Sequence, residues 1–325
     1  MKVVDMHCDT ISTLLWDEAK NLPSELRHND HHLDLERMKK GDYLLQNFAM
    51  FTSLGHVEDP YEHAHRLINK YYLEMVKNED LIQPVYSYQD IENNKDKMSA
   101  MLTLEEGAVV RDNLDYLNEY YALGVRMITL TWNFPNGIGY PNFTPGDDDR
   151  DTMLRKTDKE NGLTPFGIKY IQKMEELGII IDVSHLSDKG FWDVYNNTTK
   201  PFVASHSNAR AVCGVARNLD DEMIKALHER GGVMGLNYCE DFVADDSNGT
   251  IEKIIDHVDH IVEVAGIDVI GLGSDFDGIA TRKELKAGED LPDLEKALYA
   301  RGYSTEDVEK IFYKNVLRVY KEVLK

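Results

Sequence analysis

Several short stretches of the sequence carry side chains that can grip a cation or move a proton. The first is His7-Cys8-Asp9. Residues two apart in an extended chain share a face, so His7 and Asp9 can hold one divalent ion while Cys8 points away. A histidine beside a carboxylate suits zinc or a similar ion. In Glu105-Glu106-Gly107 the same alternation turns one glutamate inward and the other outward, and a carboxylate can bridge two metals held close together. Asp182-Val183-Ser184-His185 and Ser205-His206-Ser207 each offer one imidazole, the commonest metal-binding side chain. The last stretch is Gly271-Leu272-Gly273-Ser274-Asp275-Phe276-Asp277-Gly278. Its glycines do not have phosphate-loop spacing and no Lys-Ser/Thr follows. Asp275 or Asp277 could instead move a proton. Singly, each stretch has a plainer explanation: a capping aspartate, a solvated glutamate pair, a core histidine, turn residues.

What joins them is their place among the predicted elements. Apolar runs at 3–6, 43–51, 100–104, 125–131, 179–183, 201–205, 233–237 and 269–273 read as strands. Between them lie helical patterns or loops. Residues 59–77 form one helix, with Asp59 as N-cap and Pro60 in the first turn. A final helix fills 304–324 behind Ser304-Thr305-Glu306-Asp307. Such alternation implies a parallel sheet with right-handed crossovers. A doubly wound sheet and a (β/α)8 barrel both fit it. The chemically capable residues fall at the predicted C-terminal ends of the runs, where an α/β barrel of the TIM type carries its active site. The expected fold is therefore one (β/α)8 barrel domain over 1–325. Residues 132–163, rich in Gly, Pro, Asn and Asp, are expected to form a long loop beside the site.

Composition narrows the partners. Lys and Arg number 36 against 58 Asp and Glu, a formal net charge of −22. So acidic a chain repels phosphate backbones and anionic lipid, which argues against nucleic acid or membrane as partner. Three scattered cysteines make no disulfide framework. With no apolar leader at the start, the expected location is the cytoplasm.

The same residues resemble the renal, or membrane, dipeptidase family of zinc peptidases along essentially the whole chain. The matching stretches include Asp5-Met6-His7-Cys8-Asp9, Glu106-Gly107, Ile181-Asp182-Val183-Ser184-His185, Ser205-His206-Ser207-Asn208, Ala216-Arg217-Asn218 and Gly273-Ser274-Asp275-Phe276-Asp277-Gly278. The resemblance implies two Zn2+ per chain, with His7 and Asp9 on one, His185 and His206 on the other, and Glu106 bridging them. It implies Asp275 as the acid/base and Arg217 as the group that holds the substrate carboxylate. It further implies cleavage of dipeptides, with tolerance for a D-residue at the C-terminal position. The expected mechanism is attack by a metal-bridging hydroxide. A homodimer is expected from the resemblance and from the frequency of two-fold oligomers.

One departure concerns the end of the fourth strand. Better-known members carry a substrate-contacting histidine after Leu-Thr, whereas Leu130-Thr131 is followed here by Trp132. Tryptophan donates one N–H but cannot carry a proton. Trp132 and its neighbour Asn133 are therefore expected to contact substrate. Another binuclear amidohydrolase, acting on a cyclic amide, lactone or β-lactam, stays open as an alternative, as does a non-catalytic metal-binding protein. His31 and His32 are expected to be solvated, His257 and His260 structural, and the run Asp147-Asp148-Asp149 a solvated loop.

Overall fold

The computed structural model describes residues 1–146, 149–280 and 282–325. Its strands in chain order are β1 (Val3–Asp5), β2 (Tyr43–Phe51), β3 (Ile82–Pro84), β4 (Met98–Glu105), β5 (Val125–Thr129), β6 (Ile180–Asp182), β7 (Val203–Ala204), β8 (Val233–Leu236) and β9 (Ile270–Leu272). Among the described residues every pairing of these strands is parallel, and the β2–β4 contact closes eight of the nine into a ring. The fold is the expected (β/α)8 barrel. The ninth strand, β3, is an addition. It pairs with Met98–Ala100 at the start of β4, while β5 takes β4 from Leu102 onward.

One face of the strands lines the barrel. Val4, Met6, Leu45, Met101, Met127, Ile180, Val203 and Val233 form a single apolar cluster with Val316, Val319 and Tyr320 of the C-terminal helix Asn315–Val323. That helix plugs the N-terminal end of the barrel. The Val323 carbonyl lies beside Gly178, just ahead of β6, and the Tyr320 hydroxyl reaches into the barrel to Asn47. The other end, where the strands finish, is left for polar side chains. The outer face of the ring packs on helices whose buried stripes follow helical spacing. Pro60–Lys77 is typical: it buries Ala64, Leu67, Ile68, Tyr71 and Met75. Its Asp59 cap accepts from the Tyr61 and Glu62 amides at 3.1 and 3.4 Å, as the sequence implies.

Two stretches differ from expectation. The C-terminal helical region is capped by Ser304 but is not uniform: a π-turn at Lys310–Lys314 separates Thr305–Glu309 from Asn315–Val323. The segment read as one loop, 132–163, contains the helix Arg150–Arg155, capped by the Asp149 carboxylate on the Thr152 amide. Asp147 and Asp148 lie outside the described residues. Among the described residues no helix is long and apolar enough to cross a membrane.

Close approach of strands at the polar end requires a residue without a side chain at 273. A Cβ on Gly273 would lie 1.8 Å from the Ser205 carbonyl oxygen. Gly273→Ala should therefore force the backbones apart and destabilise the protein by about 1–3 kcal/mol, the range for overpacked sites. Thermal unfolding followed by circular dichroism reads this as a lowered midpoint. A wild-type midpoint would mean that β9 is free to shift away from Ser205.

Candidate metal centre

The strand exits converge on one buried cluster. His7 and Asp9 follow β1, Glu105 ends β4, His185 follows β6, His206 follows β7 and Asp275 follows β9. His7 Nε2 lies 3.3 Å from Glu105 Oε2, 3.4 Å from Asp9 Oδ2 and 3.9 Å from Asp275 Oδ1. The other oxygen of Glu105, Oε1, lies 3.1 Å from His185 Nε2 and 3.7 Å from His206 Nε2. One carboxylate thus spans the cluster, with an oxygen toward each side. His7, Glu105 and His206, and separately His7, Asp9 and Asp275, bring ligand atoms within 4.8 Å of one another.

The spanning carboxylate is Glu105, which corrects the expected Glu106. The reason is strand register. Met101 belongs to the barrel lining, and the side-chain alternation along β4 turns Thr103 and Glu105 the same way. Glu106 therefore turns away from the cluster, and it too is buried. Its carboxylate accepts hydrogen bonds from the Ala108 amide, the Trp132 amide and the Asn136 side chain.

Hydrogen bonds behind the histidines fix their protonation. Ser205 Oγ has one proton, and the Asp182 carboxylate, 2.5 Å away, can only accept it. Ser205 Oγ must then accept from His206 Nδ1–H at 2.7 Å, which leaves the Nε2 lone pair of His206 free. Asp182 is held in turn by Thr129 Oγ1 at 2.6 Å and by the Ser184 and Ser205 amides. His185 Nδ1–H donates to Asn133 Oδ1 at 3.0 Å, so its Nε2 is free as well. Those two Nε2 atoms stand 3.1 Å apart. Burial, reinforced by nearby positive charge, holds both rings well below the ordinary histidine range and keeps them neutral. Two lone pairs at that distance repel unless a cation lies between them.

The carboxylates pose the same problem. Burial pushes Glu105 up to about 7, although His7 opposes it, and raises Asp275 also. Burial lowers the His7 imidazole, but the charges of Glu105 and Asp9 outweigh that and leave it well above its usual value. Among the described residues His7 Nε2 and Asp9 Oδ1 have no hydrogen-bond partner. Buried, converging carboxylates and neutral imidazoles fit divalent cations. Asp5 braces this side, accepting from the His7 and Ser274 amides at 3.1 and 3.0 Å.

Strained backbone aims several of these groups. His185 (φ 70°), Asp275 (φ 63°) and Asp277 (φ 69°) occupy the left-handed region that L-residues rarely adopt, as clusters of functional side chains often do. Asp275 Oδ2 accepts from Asn237 Nδ2 at 2.9 Å. Asp277 is locked by Thr10 Oγ1 at 2.6 Å and by reciprocal bonds with His32, so His32 is not solvated as expected. His257 is structural: it is buried, accepts from the Ala209 amide and faces the Val243 carbonyl.

Arg217 is 4% exposed and bonds Ser207 Oγ and the His206 carbonyl, while its Nε has no partner among the described residues. The Trp132 ring stands between Phe51 and Phe134, with centroids 4.9 and 6.0 Å away, and 6.3 Å from His185. Asn133 was expected to contact substrate. Its side-chain oxygen bonds His185 Nδ1. Ser205, Asp182 and Asn237 were not singled out as individual site residues, although all three sit at or beside predicted strand ends.

If His206 binds an ion through Nε2, Ser205→Ala removes the group that fixes its ring. Loss of such an outer partner costs about 10- to 100-fold in metal affinity. Competition with a chromogenic chelator should show that loss, with an unchanged circular dichroism spectrum. Wild-type affinity would take Ser205 out of this role.

Comparison with known proteins agrees with this geometry. The family model described as membrane dipeptidase (peptidase family M19) matches residues 1–325. An uncharacterized protein of Klebsiella pneumoniae is 40% identical over 245 residues, covering 73% of this chain and 87% of its own. The crystal structure of an M19 metallopeptidase, dipeptidase AC, superposes with a TM-score of 0.90 at 26% identity, covering 100% of this chain and 99% of that one. A metallopeptidase from Rhodobacter sphaeroides, solved with a phosphinate mimic of the dipeptide L-Ala-D-Ala, gives a TM-score of 0.89 at 25% identity, with 99% of each chain covered. The chain, with its barrel and its buried histidine–carboxylate cluster, belongs to the membrane dipeptidase family of metallopeptidases.

Proposed function

We propose that the protein hydrolyses dipeptides, both L-L and L-D, at a binuclear zinc site. In this reading His7 and Asp9 would hold one ion, His185 and His206 the other, and Glu105 would be shared by both sides. The observation that carries it is the two-sided reach of Glu105, with Oε2 3.3 Å from His7 and Oε1 3.1 Å from His185. The nitrogen and oxygen donors suit zinc. Bound there, the ions would supply a Lewis acid for the peptide carbonyl and lower the pKa of a water held between them, the source of the nucleophile.

The chain's own residues supply the rest. The guanidinium of Arg217 would take the substrate's C-terminal carboxylate in its planar fork, helped by the spare donor at Nε. A carboxylate clamp this close to the reacting centre restricts substrates to very short peptides. Asp275, in reach of His7 and steadied by Asn237, would hold the proton released by the nucleophile and pass it to the leaving amine. The Trp132, Phe51 and Phe134 rings would exclude water from one side. The L-D tolerance is supported by the L-Ala-D-Ala mimic bound to the Rhodobacter sphaeroides relative. Three unpaired thiols support a reducing compartment, for which we propose the cytoplasm.

Purified protein should carry close to two zinc ions per chain and cleave L-L and L-D dipeptides, with activity lost to chelator and restored by zinc. Asp275→Asn should keep the metal and lose about 10²- to 10⁴-fold in kcat, the usual worth of a general acid–base group. Full metal without cleavage of any dipeptide would move the function to another amide or lactone. Full activity in Asp275→Asn would remove its proton-transfer role.

A further inference from the structure

The second glutamate of the Glu105-Glu106 pair is left without a part in the cluster, yet the fold pays heavily to keep it. Glu106 is fully buried, and its backbone sits at φ 115° and ψ 102°, where a residue with a Cβ is strained. Such strain persists only where the surroundings over-determine it. Here three donors do so. Oε1 accepts from the Ala108 amide at 2.9 Å and from Asn136 Nδ2 at 2.5 Å, and Oε2 accepts from the Trp132 amide at 3.2 Å. Asn136 extends the link: it donates to the Leu130 carbonyl at 3.0 Å and accepts from the Ile138 and Gly139 amides at 2.8 and 3.0 Å. One buried carboxylate thus ties the turn after β4 to the turn after β5. The second turn carries Trp132, edge-on to Phe51, and Asn133, whose oxygen orients His185.

We infer that Glu106 is a positioning residue: it anchors the Trp132–Asn133 wall of the substrate pocket and, through Asn133, sets the His185 ring. The kinetic consequence rests on the proposed dipeptidase activity, but the anchoring does not. Two substitutions separate the carboxylate from the backbone strain. Glu106→Gln keeps Oε1 and sets an NH2 against the Trp132 N–H, donor facing donor. Glu106→Gly suits φ 115° and removes every acceptor at once.

The sequence has three tryptophans, so a Trp16→Phe, Trp192→Phe background leaves Trp132 as the sole indole. In that background, acrylamide quenching of Trp132 fluorescence should rise about twofold or more in both Glu106 variants. KM for dipeptides should rise about tenfold, at the low end of what loss of an outer support costs. Glu106→Gly should meanwhile melt no lower than Glu106→Gln, because strain is relieved. Wild-type quenching and KM in Glu106→Gly would overturn the inference and reduce Glu106 to a buried space-filler. Should Glu106→Gln fail to fold, Glu106→Gly alone decides. Should the parent cleave no dipeptide, the activity reading fails, and quenching still decides the role of Glu106.

Discussion

The Nε2 atoms of His185 and His206 face each other across 3.1 Å, and neither has a proton to share. Both Nδ1 protons are committed, one to Asn133 and the other to Ser205. On the far side, Asp9, Glu105 and Asp275 crowd around His7. Burying like charges together costs several kcal/mol per group unless something compensates. Burial drives Glu105 and Asp275 toward their neutral forms, and Glu105 is pushed up to about 7. A divalent ion reverses that direction, because it is the largest local charge in any site it occupies. The polar end of the barrel is therefore built to receive positive charge.

The barrel can carry this burden because parallel strands deliver their ends to one rim with little freedom. Behind the rim, a relay from Thr129 through Asp182 and Ser205 sets the His206 ring, and Asp5 braces β1 against the segment that carries Asp275. Backbone strain at His185 and Asp275 is tolerated because neighbouring hydrogen bonds hold the turns. The apolar lining below, closed by the C-terminal helix, keeps the opposite end dry.

Much of this was legible from residue spacing. Two-residue alternation put His7 and Asp9 on one face, and strand ends marked His185, His206 and Asp275. Alternation also said that one glutamate of the 105–106 pair faces inward. Which one depends on the register of β4, and that is fixed by Met101 packing inside the barrel, a contact no local pattern reveals. The resemblance therefore settled on Glu106, one residue too far. The Asp182–Ser205 link was hidden because β6 and β7 meet only through the fold. Trp132 looked like a substitution in a substrate contact, and Asn133 like its substitute. The structure also ties Asn133 to His185, across 52 residues of sequence. Ile82–Pro84 was missed as a strand because it is short and ends in proline, which survives only at a sheet edge.

In the proposed site Glu105, not Glu106, would join two ions at the rim. Crystals grown with zinc and measured on either side of the zinc absorption edge test it most directly. The expected result is two anomalous peaks per chain, one beside His7 and Asp9, the other beside His185 and His206, with the Glu105 carboxylate between them and Glu106 still bonded to Trp132. A single peak away from Glu105, or zinc ligated by Glu106, would contradict it.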